Sequence, residues 1–217
     1  MRTSRKHAGG AEGQIILGVR VPPIGGAAQA LLSSWRSAFP DVSLKIMDGN
    51  ERDIALGLAE RRLDVALVGG HTIWPHVAAC PLFREKLIVV IPGQHRLVGQ
   101  VSVSWEDVSR ETILVQGWPE NQTQREYYAT LVSNAAHFEV HQASKQTILA
   151  LVRAGFGVTL ATESQVEGQA PGIEFRPVEE PNAWLEFDLV WLPESENPVA
   201  GRFVAFMRDE SRARGFV

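Results

Sequence analysis

The stretch LALVRAGFGVTLAT, residues 149–162, decides the fold class of this chain of 217 residues. Its first half has the spacing of an amphipathic helix, and Gly155 stands where a helix C-terminus turns into the left-handed region. Gly157 then allows a short buried strand to start close against the helix. A second joint of helix and buried strand lies within 55–67. Together the two joints predict two α/β halves that face each other.

Composition narrows the class of protein. Hydrophobic residues make up 45% of the chain and charged residues 21%, as in ordinary globular proteins. The formal net charge of -4 argues against broad nucleic-acid binding, because such binding needs a basic face. Cys80 is the single cysteine, which excludes an internal disulfide and a multi-cysteine metal site. Neither a membrane span nor a secretory signal is recognisable, so we expect a cytoplasmic protein without membrane contacts.

Strands and helices alternate along the chain. The predicted strands are 15–19, 42–47, 64–68, 82–91, 112–115, 138–141, 158–161 and 187–192. The predicted longer helices are 27–39, 123–134, 144–154 and 198–208. The opening β-α-β-α-β order predicts a parallel sheet with crossover helices. We expect a discontinuous arrangement, in which lobe I comprises 14–92 and 187–217, lobe II comprises 93–186, and 1–13 is a flexible tail left from a linker or from expression.

Five short segments, in this order and at these spacings, resemble the effector-binding domain of LysR-type transcriptional regulators. They are Gly18, FPDV at 39–42, DGN at 48–50, RLDVA at 62–66 and LVRAGFGV at 151–158. The resemblance implies a two-lobed α/β fold like that of the type 2 periplasmic binding proteins, with each lobe a sheet flanked by helices. It implies a small-molecule effector in the cleft between the lobes. It also implies a sensory half without its helix-turn-helix domain, which would not bind DNA alone.

The chain departs from the family's pattern after the last joint of helix and strand. The family commonly has Leu-x-Pro there, whereas this chain has Leu160, Ala161 and Thr162. Thr162 places a hydroxyl at the expected edge of the pocket, in place of a rigid proline. The local backbone shape and the size of the ligand can therefore differ from those of relatives.

Candidate ligand contacts lie in loops at the carboxyl ends of the predicted strands, where open α/β sheets bind their ligands. The resemblance places the pocket at the first helix N-terminus and at the loop of Gly49 and Asn50. A helix N-terminus offers free N–H donors, so we expect a small polar or anionic effector. The predicted contacts are Arg20, Pro22, Pro23, Gly49, Asn50, Gly69, Gly70, Gln116, Trp118, Asn121, Ser144 and Thr162.

Several of these residues also have a simpler structural interpretation. Asn50 can be the N-cap of the next helix, with Asp53 completing a capping box, and this role is compatible with ligand contact. Trp118 can pack on the proline that follows it, and Arg20 can be a solvated surface arginine. Ser144 can be the N-cap of the helix that it precedes.

The resemblance also implies a homodimer, and it allows a tetramer for a full-length regulator. Helix 27–39 carries more apolar surface than one sheet face needs. In the family this helix packs on a second-lobe helix of the partner, here 123–133, in an isologous pair. The predicted interface residues are Leu31, Leu32, Trp35, Tyr127 and Leu131.

The chain lacks the sequence patterns of the main catalytic classes. It contains no HExxH spacing and no Gly-x-Ser-x-Gly elbow, and Gly155-x-Gly157 lacks the third glycine of a dinucleotide motif. His137 and His141 share a face of a predicted strand only by alternation, which is weak support for a zinc site. We expect no catalytic residue, metal or cofactor. Two alternatives stay open, namely a solute-binding receptor of the same fold and, less favoured, a small enzyme.

Overall fold

A computed structural model describes residues 13–20, 25–70, 74, 76–117, 122–166 and 171–217. The strands are β1 (Gly13–Val19), β2 (Val42–Asp48), β3 (Val65–Gly69), β4 (Ala78–Pro92), β5 (Thr112–Gln116), β6 (His137–His141), β7 (Thr159–Thr162), β8 (Ile173–Pro177) and β9 (Trp184–Trp191). The helices are α1 (Gly26–Ala38), α2 (Glu51–Ala59), α3 (Trp105–Ser109), α4 (Thr123–Leu131), α5 (Lys145–Arg153), α6 (Glu163–Val166) and α7 (Pro198–Ala213), with a 3-10 helix at Arg96–Gly99. Among the helices of these ranges, none has the length and apolar content that crossing a membrane requires.

The chain divides into two compact units. Unit 1 comprises the described residues up to Arg84 together with Glu186–Val217, and unit 2 comprises Glu85–Leu185. Residues 85–92, which the sequence assigned to lobe I, belong to unit 2. The reason is that this half of β4 pairs with β7 and β8, both of which lie in unit 2. The cleft that we expected between the lobes stays a prediction.

Unit 1 contains the parallel sheet that its β-α-β-α-β order predicts. β1 pairs in parallel with β2 on one side and β3 on the other, and β9 lies antiparallel beside β3. On one face Ile54 and Leu58 of α2 are fully buried against the sheet. On the other face Leu17 of β1 lies beside Leu31 of α1 and Phe203 of α7. The parallel order places the carboxyl ends of β1, β2 and β3 at one edge.

Unit 2 combines antiparallel and parallel pairing. β4 is antiparallel to β7 and to β8, and β5 is parallel to β6. An isolated parallel bridge joins Ile113 of β5 to Val158, just before β7. Ile148 and Val152 of α5 lie in the apolar core of this unit without exposed surface. Because α5 begins soon after β6 ends, its N-terminus lies at the edge where β5 and β6 have their carboxyl ends.

The joint of helix and strand at Gly155 and Gly157 is confirmed. Gly155 has a φ of +86°, and the amide of Phe156 donates to the carbonyl of Leu151 at 3.1 Å, as in a Schellman cap. The close approach at Gly157 is to the neighbouring strand and not to the helix. A Cβ built there would lie 2.4 Å from the carbonyl oxygen of Thr112. Gly157 therefore permits the pairing of β5 with the segment before β7.

Some element boundaries differ from the sequence prediction. The helix predicted to reach residue 134 ends at Leu131, and the Ser133 hydroxyl accepts from the Ala135 amide in the turn that follows. The last helix continues to Ala213 rather than 208, although residues 208–213 have no apolar period. Ser211 explains this extension, because it is fully buried and its hydroxyl donates to the carbonyl of Leu82. Helix α6 and strand β8 were not predicted.

Two of the predicted dimer residues lie in the core of unit 1. Leu31 has no exposed surface, and Trp35 is 1% exposed. The ring of Trp35 packs edge-on against Phe203 of α7, with centroids 4.8 Å apart. Assigning Leu31 and Trp35 to an interface is therefore wrong, because α7 covers the apolar surface of α1. Three interface predictions stand untested, and each of these side chains is partly exposed: Leu32, Tyr127 and Leu131.

Candidate ligand-binding site

Backbone hydrogen bonds bring together the three strand ends of unit 1. The amide of Gly49, after β2, donates to the carbonyl of Val19 at 3.2 Å. The amide of Arg20, after β1, donates to the carbonyl of Leu67 in β3 at 3.3 Å. Gly70 follows β3 with a φ of +72°, a conformation that glycine adopts without strain. These bonds fix the start of the three loops that the sequence analysis selected.

The side chain of Arg20 connects these loops further. Its Nη2 donates to the carbonyl of Gly69 at 2.7 Å, and its Nη1 lies 3.4 Å from Oε2 of Glu51. Oε1 of Glu51 also accepts from the indole N–H of Trp74 at 3.1 Å. Both charged side chains are 15% exposed, so the interpretation of Arg20 as a solvated surface arginine is wrong. An anionic ligand at Arg20 would compete with Glu51, and this ligand contact stays a prediction.

Asn50 is the N-cap of α2. Its Oδ1 accepts from the amide of Asp53 at 2.9 Å, and a carboxylate oxygen of Asp53 accepts from the amide of Asn50 at 3.4 Å. The capping box inferred from the sequence is confirmed. Because Oδ1 already caps the helix, the side-chain N–H groups of Asn50 are what it can offer a ligand. A Cβ at Gly49 would lie only 3.0 Å from the Cβ of Asp53, so this turn favours glycine.

Four predicted contacts lie outside the described residues: Pro22, Pro23, Trp118 and Asn121. The loops that carry them begin at described positions. Arg20 precedes the first loop, and Gly117, whose amide donates to the carbonyl of His141 at 3.0 Å, precedes the second.

In unit 2, parallel pairing brings Gln116 and the N-terminus of α5 to one edge. Gln116 is the last residue of β5 and pairs in register with His141, the last residue of β6. Ser144 follows and caps α5, since its Oγ accepts from the amide of Thr147 at 3.2 Å. The N-cap interpretation of Ser144 is therefore confirmed. Ligand contact by Gln116 and Ser144 stays a prediction.

Thr162 does not lie at an open pocket edge. It is fully buried, because it still belongs to β7 and pairs with Leu87 of β4. Its amide donates to Oε1 of Gln165 at 3.2 Å, and its hydroxyl lies 3.3 Å from that of Ser164. The Ser164 hydroxyl donates in turn to Glu85 at 2.5 Å. The assignment of Thr162 as a ligand contact is therefore wrong, since it has no surface to offer.

Lys145, the first residue of α5, is a polar group that the sequence analysis missed. Its Nζ donates to the carbonyl of Leu160 at 2.5 Å and lies 3.4 Å from the hydroxyl oxygen of Thr159. That hydroxyl donates to the carbonyl of Leu114 at 2.7 Å. Burial lowers the pKa of Lys145 from 10.5 to about 8. A cation in the first turn opposes the helix dipole, and this conflict is the signal that could have revealed it.

The described histidines and the cysteine do not assemble into a reactive cluster. Within the part of the chain that the structure describes, no group of three or more His, Cys, Asp or Glu residues could hold a metal ion. Each of His137 and His141 instead places Nε2 near the carboxylate of Glu139, at 3.4 and 3.8 Å. Burial raises the pKa of the Cys80 thiol, which disfavours the reactive thiolate.

The fold and these polar strand ends define a class, an α/β ligand-binding module built from two units. The family described as LysR substrate binding domain matches residues 8–212, and the chain belongs to that family. The resemblance inferred from the five sequence segments is thus confirmed. This protein is an effector-sensing regulatory domain of the LysR type. The periplasmic-binding-protein-like fold class predicted from the sequence is confirmed.

Relatives and solved structures agree with this assignment. The chain is 28% identical over 211 residues to the uncharacterized HTH-type transcriptional regulator YnfL of Escherichia coli K12, covering 93% of this chain and 69% of that protein. It is 27% identical over 145 residues to the HTH-type transcriptional regulator CbbR of Sinorhizobium medicae, covering 64% of this chain and 45% of that protein. The effector binding domain of BenM, solved with its effector benzoate, has the same fold, with a TM-score of 0.77, 19% identity and 95% coverage of both chains.

Proposed function

We propose that this domain binds a small polar or anionic organic molecule with residues at the carboxyl ends of its strands, and that binding alters how a regulator engages DNA. The observation that carries the proposal is a polar set at such an edge in each unit. Open α/β sheets bind ligands at these ends, and helix N-termini there suit carboxylates. The set of unit 1 is Arg20, Gly49, Asn50, Gly69 and Gly70, and that of unit 2 is Gln116 and Ser144.

The four contacts outside the described residues stay in the proposal, because their loops start at the same strand ends. The first loop contributes Pro22 and Pro23. The second contributes Trp118, a flat apolar surface for a ring, and Asn121, an amide for a polar substituent. Such a mixture of aromatic and amide groups is typical of small-molecule sites.

The domain acts, in this proposal, by binding rather than by catalysis. An effector changes regulation only if it binds two arrangements of the regulator with different affinity. We propose a homodimer, with partly exposed Leu32, Tyr127 and Leu131 at its interface. DNA contact belongs to the helix-turn-helix part of a full-length regulator, whose relatives are named HTH-type, and the cytoplasm is where it meets DNA.

A thermal-shift screen of small carboxylates, aromatic acids and sugars tests effector binding. A ligand at 100 times its Kd stabilises the folded state by about 2.7 kcal/mol, which raises the melting temperature by several degrees. Failure of every compound class to shift the melting temperature would count against a sensing role.

Two variants then test the position of the site. Gln116→Ala removes a side-chain amide, whereas Asn50→Asp keeps the capping oxygen and removes the N–H donors. We expect each to weaken the identified ligand by roughly 10-fold, the usual effect of losing one hydrogen bond in a binding site. Wild-type affinity in both variants would show that the contacts lie elsewhere. Lys45→Met, an exposed change on β2, serves as the control.

A further inference from the structure

Among the described residues, the ammonium group of Lys145 in unit 2 has no anionic partner. Its acceptors are the carbonyl of Leu160 and the hydroxyl of Thr159, both of which are neutral. Burial is the one cause of its shifted pKa, and no nearby carboxylate contributes. A buried charge that is compensated only by neutral dipoles is expensive, and proteins normally pair it with an opposite charge.

The surroundings of Lys145 add positive potential. Lys145 is the first residue of α5, where the helix dipole carries a partial positive charge. Ser144 caps the amide of Thr147, and its carbonyl accepts from the amide of Ile148 at 3.0 Å. No acceptor for the amides of Lys145 and Gln146 is found within the described ranges. The first turn of α5 therefore combines two backbone donors with the lysine that carries the ammonium group, and a negative charge near this end of the helix would be favourable.

Arg20 in unit 1 differs from Lys145 in having a carboxylate partner. Its guanidinium faces the carboxylate of Glu51 at 3.4 Å, so its charge is already balanced. An effector that paired with Arg20 would have to displace Glu51, whereas an effector that paired with Lys145 would displace no carboxylate. An anionic ligand therefore gains more from pairing with Lys145 than with Arg20, because no ion pair has to be broken.

We infer that Lys145 is the specificity-determining residue of this domain and selects an effector that carries a carboxylate or a similar oxyanion. This inference rests on the proposed sensing function and deepens it by naming the charge of the ligand. The ammonium has three N–H donors, and two point to Leu160 and Thr159. The third, with the amides at the start of α5, forms charge-assisted hydrogen bonds to the anion.

Thr159 and Tyr128 act as positioning residues. The Thr159 hydroxyl gives its proton to the Leu114 carbonyl at 2.7 Å, so its lone pair faces Lys145. The Tyr128 hydroxyl lies 3.4 Å from the same Leu160 carbonyl that accepts from Lys145, and it accepts from the side chain of Gln124 at 3.0 Å. These bonds hold the acceptors of Lys145 in place and leave its charge unneutralised.

The test uses probes that differ in charge and little else. Benzoate is compared with benzamide, and succinate with succinamide, by calorimetric titration into the 217-residue chain; sulfate and a neutral sugar panel complete the set. Titrations are made on wild type, Lys145→Met, Lys145→Arg and Lys86→Met. Lys86 is an exposed lysine of the same unit, with Nζ 5.7 Å from the Trp184 ring centroid, so its variant removes the same net charge.

We expect wild type and Lys86→Met to prefer a carboxylate to its amide. Lys145→Met should lose roughly 10-fold or more in carboxylate affinity, with no change for the amide, because a charge-assisted hydrogen bond is lost. Lys145→Arg should retain most of the preference, since it keeps the charge. Circular dichroism and the melting temperature verify that each variant is folded.

Other outcomes separate the inference from the function on which it rests. Equal carboxylate affinity in Lys145→Met and wild type would overturn the role of Lys145 and leave effector sensing intact. Binding of neutral sugars alone by wild type would overturn the anionic class and again leave sensing intact. Absence of binding by acids, amides and sugars alike would count against both.

Discussion

Replacing Lys145 with Met should stabilise the free domain at neutral pH. The ordinary pKa of 10.5 falls to about 8 in the folded chain, so the folded state disfavours the charged lysine. This shift corresponds to at most about 3 kcal/mol of folding free energy. Methionine keeps most of the apolar stem of the side chain and removes the charge. The free-energy cost of burying that charge is then absent.

The lost hydrogen bonds offset part of the gain. The Leu160 carbonyl keeps the Tyr128 hydroxyl as a donor at 3.4 Å, and the Thr159 hydroxyl keeps its bond to Leu114. Losing the bond to Leu160 and the longer contact to Thr159 together costs about 1 to 2 kcal/mol. We therefore expect Lys145→Met to raise the free energy of unfolding by about 1 to 2 kcal/mol at pH 7, as measured by urea denaturation.

The stability advantage of Lys145→Met over wild type should become smaller at alkaline pH. Between pH 8 and 10.5 the unfolded wild type binds the lysine proton and the folded wild type does not, so wild-type stability rises with pH relative to the variant. At pH 9.5 the wild type should have regained about 2 of the 3 kcal/mol of unfolding free energy that the charged lysine costs it at pH 7. Lys45→Met, an exposed change, should stay within about 0.5 kcal/mol of wild type at every pH. Destabilisation by Lys145→Met at pH 7, or a stability difference that is flat from pH 7 to 9.5, would show that burial of the Lys145 charge does not lower the stability of the folded domain.

Three further predictions concern packing, capping and assembly. Gly157→Ala should lower the free energy of unfolding by about 2 kcal/mol or more, because its Cβ would meet a carbonyl oxygen at 2.4 Å. A Cβ at Gly201 in α7 would meet open space, so Gly201→Ala should raise the free energy of unfolding by about 0.5 to 1 kcal/mol. Chemical denaturation of the two variants checks that their effects have opposite sign. Asn50→Ala should cost about 1 kcal/mol through the lost cap and Asn50→Asp much less, and equal melting temperatures for the two would contradict the cap. Leu131→Glu should shift a dimer towards monomer in sedimentation velocity at tens of micromolar (roughly the range of weak dimers), whereas an unchanged profile would remove Leu131 from the interface.

The structure corrects sequence-based site predictions most often where a side chain interacts far along the chain. The capping box of Asn50 was readable, because the cap and its partner Asp53 are three residues apart. Arg20 could not be assigned in this way, since its partner Glu51 is 31 residues away. Thr162 had a polar side chain at the right strand end, yet β4 covers it from a distant part of the chain.

Local sequence determined most of the order of elements, the two joints of helix and strand, and the helix caps. Each of these depends on neighbours within a few residues, such as Gly155 with its positive φ. Tertiary structure alone decided which apolar faces are covered, as α7 covers Trp35 of α1, and which charges are balanced. Within the described part of the chain Arg20 has a carboxylate partner and Lys145 has none, although each is a single cation beside polar loops. The physical reason is that burial and ion pairing depend on distances between segments that are remote in sequence, and those distances are set only when the sheets form.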